Sequence, residues 1–183
     1  MIYHGHAMEE QAVLQTAAKM CAAARTAPKA HGKDTILTLV LTGEDKDRLA
    51  KEMESLGYEI MGDKMNTWYG RDANNVRNAQ AVVLIGAAKK YRGVPNCGYC
   101  GLGDCGSCKS SGGNCAFAYV DLGIAVSSAV NAAASDKVDC RVMFSIGKTA
   151  MQLSFVDEDV LWLGIPLSVS GKNIFFDRNI FHD

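Results

Sequence analysis

Five of the seven cysteines of this 183-residue chain lie within residues 97–115, in the segment CGYCGLGDCGSCKSSGGNC. The segment is rich in Gly and Ser, so it has almost no apolar surface against which five thiols could be buried. Four converging thiolates are what an iron–sulfur cluster or a structural zinc ion requires. The segment therefore predicts a loop that is built around a metal centre and carried by a separately folded body.

The composition of the chain indicates that this body has a core of its own. Hydrophobic residues make up 48% of the sequence, so the fold does not need the disulfides that staple small secreted domains. The odd number of cysteines, seven in all, also disfavours a complete set of intrachain disulfides. We expect one domain over residues 1–183.

The charge and hydropathy of the chain limit the kinds of binding partner and the cellular location that we expect. The net charge of −1 gives no basic footprint, so we expect no nucleic-acid partner. No apolar run reaches the roughly 18 residues that a membrane helix needs, and the N-terminal segment MIYHGHAMEEQ lacks the pattern of a signal peptide. We therefore expect a soluble, cytoplasmic protein with no membrane partner.

Helical patterns alternate with short apolar strands along the chain. We expect helices at 8–27, 43–57, 71–79, 119–135 and 148–155, and strands at 35–42, 80–88, 139–147 and 159–169. Gly57 is the expected C-terminal cap of the second helix, and residues 58–70 hold at most a short strand. We expect an ordered tail because Phe175, Phe176 and Phe181 would be costly to leave in water. The alternation predicts an α+β (α/β-like) fold with helices on both faces of the sheet.

The spacing of the loop cysteines, C-x2-C-x4-C-x2-C-x6-C, favours an iron–sulfur cluster over zinc. Zinc knuckles separate their CxxC pairs by a dozen or more residues, which gives the chain room to close a tetrahedron. Here only four residues separate the pairs. A cluster suits this compact arrangement because neighbouring cysteines can bind different irons.

Three sets of ligands are compatible with the spacing. The compact set uses both CxxC pairs, and a second set joins a C-x4-C-x2-C run to the distant Cys140. The third set replaces Cys108 of the compact set with Cys115. The members of the three sets are, in that order, Cys97, Cys100, Cys105 and Cys108; Cys100, Cys105, Cys108 and Cys140; and Cys97, Cys100, Cys105 and Cys115.

The start of the loop resembles a known iron–sulfur signature. The segment NCGYCGLGDC, with Cys115 after it, is similar to the NCGxCGxxxC…C pattern of a small [4Fe–4S] domain found in electron-transport-complex subunits and corrinoid iron–sulfur proteins. The resemblance implies that Cys97, Cys100, Cys105 and Cys115 are the ligands, with Cys108 as the alternative. The fourth cysteine arrives sooner in this chain than in that domain.

The segments on either side of the loop carry a second resemblance. AAARTAPKAHGKDTILTLVL and DLGIAVSSAVNAAASDKVDCRVMFSIG resemble two segments of nitroreductase-like flavoproteins. As a whole, the chain resembles a prokaryotic family of ferredoxin domain-containing proteins. This resemblance implies a nitroreductase-like mixed sheet flanked by helices, a cysteine-rich loop at 96–115 inserted into it, and a homodimer.

The same resemblance raises the question of FMN. Nitroreductases hold the FMN phosphate with an arginine-rich segment before their first long helix, but MIYHGHAMEE contains no arginine. The candidate phosphate-binding residues that remain are Arg25, Lys29, Lys172 and Arg178. Asp121 is expected to cap or pair structurally, and no residue stands out as a general acid or base.

Three functions follow from the sequence. The first is a soluble redox protein in which a [4Fe–4S] cluster exchanges electrons with a partner protein or a small-molecule acceptor. The second is an FMN-dependent oxidoreductase of the nitroreductase type, and the third is an interaction protein whose loop is stabilised by zinc. The sequence leaves open whether the protein is an enzyme.

Overall fold

The computed structural model describes residues 1–63 and 67–176 and has an α+β fold. These residues contain six α-helices and four strands. They are α1 (Gly5–Thr26), β1 (Ile36–Leu41), α2 (Gly43–Met61), α3 (Trp68–Asn78), β2 (Ala81–Ala88), α4 (Cys105–Ser110), α5 (Ala116–Ser135), β3 (Asp139–Cys140), α6 (Phe144–Ala150) and β4 (Val160–Ser168). The predicted α+β class is confirmed.

The four strands form a single sheet with the order β1-β2-β4-β3. All three pairings of the described strands are antiparallel, so the mixed sheet expected from the resemblance contains no parallel pair in this part of the chain. Every residue of β2 is buried. This follows from its central position, which pairs it with a strand on each side and covers both of its faces.

Helices cover the two faces of the sheet. α1 and α5 pack on one face, where alternate β2 residues such as Val83 and Ile85 enter the core. α2, α3 and α6 pack on the other face against Val82 and Leu84. The two cores therefore share β2, and the period-two alternation of a strand divides its side chains between them.

The predicted third strand at 139–147 is wrong beyond its first two residues. Asp139–Cys140 pairs with β4 as a strand and Met143 adds an isolated antiparallel bridge to Gly164, but Phe144–Ala150 forms α6. The helix predicted at 148–155 begins four residues earlier in the structure, at Phe144. A helix is possible here because Gly147 lies directly against the Trp162 carbonyl and the Ile146 side chain fills the space over Gly164. Tertiary packing overrides the strand preference of the β-branched residues.

The prediction for Gly57 is also wrong, because α2 continues to Met61. The helix ends at Gly62, whose φ of 75° is the left-handed conformation that favours glycine. Gly57 lies inside the helix, where a Cβ atom would come within 2.7 Å of the Tyr69 Cβ. Its role is therefore close contact between α2 and α3.

The C-terminal phenylalanines divide into three cases. Phe175 is buried and belongs to the core on the α2, α3 and α6 side, as expected for an ordered tail. Phe176 is exposed, although the guanidinium of Arg141 lies 5.1 Å from its ring centre. Phe181 lies outside the described residues.

Of the helices that the structure describes, α5 has the length and apolar composition of a membrane span. One of its faces is buried against α1 and the sheet, through residues such as Ala125 and Ala129. A core helix of a globular protein has the same composition. The opposite face is exposed and carries Tyr119, Val120 and Ile124.

Two helical glycines give a matched test of this packing. Gly147→Ala should lower the free energy of unfolding by about 2 kcal/mol, because the new methyl group overlaps the Trp162 backbone. Gly123→Ala should leave it unchanged or raise it by up to about 1 kcal/mol, since no atom lies within 4 Å of the added methyl group. Urea unfolding of the metal-free chains measures both. Equal effects of the two substitutions would contradict the packing of α6 on β4.

Candidate metal centre

The structure brings all five loop cysteines to one pocket. The pocket is lined by their side chains together with Tyr91, Tyr99, Asp104 and Phe117. Two of the thiols belong to secondary structure, because Cys105 and Cys108 lie three residues apart in α4 and so share a helix face. Cys115 immediately precedes α5. The five cysteines that are close in the sequence are therefore also close in space, and their role as metal ligands stays a prediction.

A capped helical turn orients the second CxxC pair. Asp104 is the N-cap of α4, and its Oδ1 accepts a hydrogen bond of 2.7 Å from the backbone N–H of Ser107. This bond lowers the pKa of Asp104. The capped turn fixes the direction in which Cys105 and Cys108 leave the backbone.

Two glycines allow the loop to fold back over itself. Gly101 has a φ of 76° and closes a tight turn in which its N–H donates to the Gly98 carbonyl at 2.9 Å. Gly113 is needed for a different reason. A Cβ atom there would lie 2.8 Å from Leu102 Cδ1 and 3.1 Å from the Cys108 sulfur.

The five thiols differ in burial. Cys108 is only 1% exposed and Cys115 is 9% exposed, whereas Cys97, Cys100 and Cys105 are half-buried. Burial raises the pKa of the Cys108 thiol, and the adjacent Cys100 thiol raises it further. Cys108 therefore lines the pocket together with the four cysteines of the preferred ligand set.

Cys140 lies elsewhere. It belongs to β3 and packs against the core between the sheet and the α1/α5 layer. Burial and, to a smaller extent, the neighbouring Asp139 raise the pKa of its thiol. It is not among the residues that line the cysteine pocket.

The pocket offers sulfur donors, which both an iron–sulfur cluster and a structural zinc ion accept. Among the described residues, no three His, Cys, Asp or Glu side chains converge on a site for one metal ion. A tetrahedral zinc ion with Zn–S bonds of about 2.3 Å needs sulfur atoms about 3.8 Å apart. A cluster distributes its thiolates over separate irons and tolerates a wider spread. Five thiols around one pocket are compatible with this second geometry.

Aromatic rings cover the pocket and connect it to the body. Tyr99 stacks on Phe117, with ring centres 5.5 Å apart and an interplanar angle of 21°. The hydroxyl of Tyr91 donates to the Gly113 carbonyl at 2.8 Å. The first contact shields the pocket, and the second joins the beginning of the loop to its end.

A buried ion pair joins a residue before the loop to a residue after it. Arg92 and Asp121 are each only 1% exposed, and Arg92 Nε and Nη2 both donate to Asp121 Oδ2, the former at 3.2 Å. Arg92 Nη2 also donates to the Thr35 hydroxyl at 2.9 Å. The expected structural pairing of Asp121 is confirmed, but no motif in the sequence pointed to Arg92.

Two of the predicted flavin-phosphate residues have partners within the protein. Arg25 forms an ion pair with Asp34 at 2.5 Å. Partial burial acts to raise the pKa of Asp34, but the hydrogen bonds from Arg25 and from the Ile36 N–H, together with the charges of Arg25 and Lys29, lower it overall. The Lys29 ammonium donates to the carbonyls of Ala24, Arg25 and Ala27 at the end of α1.

The two other predicted phosphate residues lie near the C-terminus. The carbonyl of Lys172 accepts a hydrogen bond of 2.6 Å from the Ser170 hydroxyl, in the segment after β4. Arg178 lies outside the described residues. The role of all four residues in phosphate binding stays a prediction.

The structure also shows an apolar groove that the sequence did not reveal. It encloses about 450 Å³ at the edge of β4, between α5 and α6. Its walls include Tyr119, Leu122, Phe144, Lys148, Trp162 and Leu163. These residues come from three separate elements, so no local pattern in the sequence could have grouped them.

Comparison with known proteins identifies the family. Residues 111–178 match the sequence profile described as "Uncharacterized protein containing a ferredoxin domain (DUF2148)". A protein of Archaeoglobus fulgidus described as an uncharacterized protein is 41% identical over 167 residues, which span 87% of this chain and 88% of that protein. The chain belongs to this family of ferredoxin domain-containing proteins, as its sequence resemblance predicted.

Solved structures identify the fold. The FMN-dependent nitroreductase NfnB of Mycobacterium smegmatis, in complex with NADPH, matches with a TM-score of 0.58 and 13% identity over 88% of this chain and 81% of that chain. A nitroreductase with bound FMN from Desulfitobacterium hafniense matches with a TM-score of 0.53 and 14% identity over 94% of this chain and 81% of that chain. The expected nitroreductase-like body is confirmed.

Proposed function

We propose that this member of the ferredoxin-domain family is an iron–sulfur redox protein that exchanges electrons with a partner protein or a small-molecule acceptor. The observation that carries the proposal is that all five loop thiols line one pocket. The core of the body is complete without four of them, so the thiols are not required for folding. A [4Fe–4S] cluster held there supplies one-electron transfer.

Cys97, Cys100, Cys105 and Cys115 are the ligands in this proposal. Cys115 is held by the first turn of α5, and its exposure of 9% leaves its thiol facing the pocket rather than solvent. Cys108 remains beside them as the alternative ligand. Its burial supports a protected thiol that stays protonated when four others bind the irons.

Metal and sulfide quantitation tests the proposal. After anaerobic reconstitution with ferrous iron and sulfide, we expect about four irons and four sulfides per chain and a broad visible absorbance that bleaches on reduction. One tightly held zinc per chain, with no iron or sulfide, would instead favour the zinc-stabilised interaction protein. A colourless protein that contains no iron after reconstitution would contradict the redox proposal.

Two single substitutions separate the ligand sets. Cys115→Ser should lose most of the iron, because it removes a ligand, whereas Cys108→Ser should retain it. Cys140→Ser is the matched control, since Cys140 is a partly buried thiol outside the pocket. Iron per chain and the visible spectrum are the measurements. If Cys108→Ser loses the iron and Cys115→Ser keeps it, the compact set replaces the proposed one.

A flavin-dependent oxidoreductase is the second candidate, and the groove between α5 and α6 favours it. Its volume of about 450 Å³ is within the range of small-molecule sites, roughly 300–1,000 Å³. Tyr119, Phe144 and Trp162 offer rings for stacking, and Lys148 offers a positive charge. The nitroreductase-like fold adds support, because relatives of that fold bind FMN.

An FMN titration tests the second candidate. We expect quenching of flavin fluorescence with micromolar affinity, and about tenfold weaker binding for Lys148→Ala through loss of a charged contact. Lys51→Ala, an exposed lysine on α2, is the control and should bind as the wild type does. If the protein does not bind FMN at about 100 µM, its similarity to the nitroreductase structures is a similarity of fold alone.

The assembly and the location complete the proposal. We place the protein in the cytoplasm as a homodimer, without a nucleic-acid or membrane partner. The dimer is supported by exposed apolar side chains, namely Tyr119 and Phe144 at the groove and Ile124 elsewhere on α5. Light scattering of the purified protein, whose chain mass is 19.6 kDa, measures the assembly directly.

A further inference from the structure

We propose that Arg92 and Asp121 are positioning residues for the metal centre. Together they close the base of the cysteine loop, so that the cysteines near its two ends meet at one pocket. The inference rests on the proposed function, because it concerns the same thiols. It concerns two side chains that bind no metal themselves and that lie beneath the pocket rather than in it.

The ion pair joins the two ends of the loop directly. Arg92 lies five residues before Cys97, and Asp121 lies six residues after Cys115. The two charged residues are separated by 29 positions in the sequence, yet Arg92 Nε is 3.2 Å from Asp121 Oδ2. All five loop cysteines lie between them. Closing a flexible segment of this length has an entropic cost, which the contact offsets.

Both residues are also attached to the body. Asp121 Oδ1 accepts from the backbone N–H of Ala30 at 2.9 Å, so both carboxylate oxygens have partners. The Arg92 carbonyl accepts from the Lys33 ammonium at 2.9 Å, while its guanidinium reaches Thr35. The base of the loop is therefore fixed to the turn before β1 as well as closed on itself.

A second contact holds the chain on the N-terminal side of Cys115. The hydroxyl of Tyr91, the residue next to Arg92, donates to the carbonyl of Gly113. The chain is thus held by Tyr91 at Gly113, two residues before Cys115, and by Arg92 at Asp121, six residues after it. Neither contact involves a thiol. The position of Cys115 relative to the start of the loop is therefore set by contacts that use no thiol.

The energetics of buried ion pairs favour a role in geometry over one in stability. Desolvation of two charges cancels much of their attraction, and apolar replacements of similar volume are often as stable. The charge-assisted bonds are directional, however, and they fix the orientation of both side chains. Arg92 is also the largest of the fully buried side chains described. A pair of this kind is suited to holding two chain segments at a fixed position relative to each other.

The test uses a double variant that leaves no buried charge unpaired. Arg92→Met with Asp121→Asn removes the ion pair, and the Asn side-chain oxygen can still accept from Ala30. The matched control is Lys19→Met with Asp136→Asn, which removes an ion pair of 2.9 Å between α1 and the far end of α5. Thermal unfolding establishes that both chains fold. Arg92→Lys, which keeps the charge but not the forked donor, takes the place of the double variant if that variant does not fold.

The first measurement is the rate of iron release to a ferrous-iron chelator after anaerobic reconstitution with ferrous iron and sulfide. We expect release at least about tenfold faster from the Arg92/Asp121 variant, as for other residues that support metal ligands, and an unchanged rate from the control. Equal rates in the variant and the wild type would overturn the proposal. A role in stability alone would also speed iron release from Gly147→Ala, because that substitution destabilises the body at the contact between α6 and β4.

The second measurement needs no metal. Alkylation of the metal-free chains, followed by mass spectrometry of each cysteine, should show faster modification of Cys115 in the Arg92/Asp121 variant, with Cys21 on α1 as the internal reference. An unchanged Cys115 rate would count against positioning. If the wild type takes up no iron, the proposed function fails, and the alkylation rates still decide whether the ion pair positions the thiols.

Discussion

The buried contact between Arg92 and Asp121 connects the cysteine loop to the folded body that carries it. It joins α5 to the segment that follows β2, and through Thr35 and Ala30 it reaches the start of β1 and the turn before it. Each charge is shielded from water, so each depends on the other for a partner. The loop can lack a core because its base is held in this way.

The body needs little from the loop. Its two cores lie on opposite faces of β2, and Cys115 is the loop cysteine that joins one of them. Gly and Ser, which cannot stabilise a core, are frequent in the loop, and the tight turn at Gly101 and the close contact at Gly113 require glycine. Apart from Cys115, the residues that stabilise the body therefore differ from the thiols that we propose as metal ligands.

The sequence identified the features that local patterns encode. The apolar run of β2 and the cysteine spacing each carry their own signal, as does the resemblance around the loop. The structure differs where the outcome depends on distant residues: α6 forms over 144–150 because Gly147 meets Trp162, and Gly57 serves a contact with Tyr69. Arg92 gave no signal, because one arginine among charged neighbours resembles any surface residue until its burial is known.

The cysteine pocket and the apolar groove share one helix. Cys115 precedes the first turn of α5 and lines the pocket, and Tyr119, four residues later, lines the groove. Four residues of helix span about 6 Å. Asn114 donates to the Tyr119 hydroxyl at 2.8 Å, which adds a direct contact between the end of the loop and the groove. A redox centre at one site and an electron acceptor at the other would therefore be neighbours along a rigid element, and the redox and flavin hypotheses describe two sites of one protein rather than competing uses of the same site.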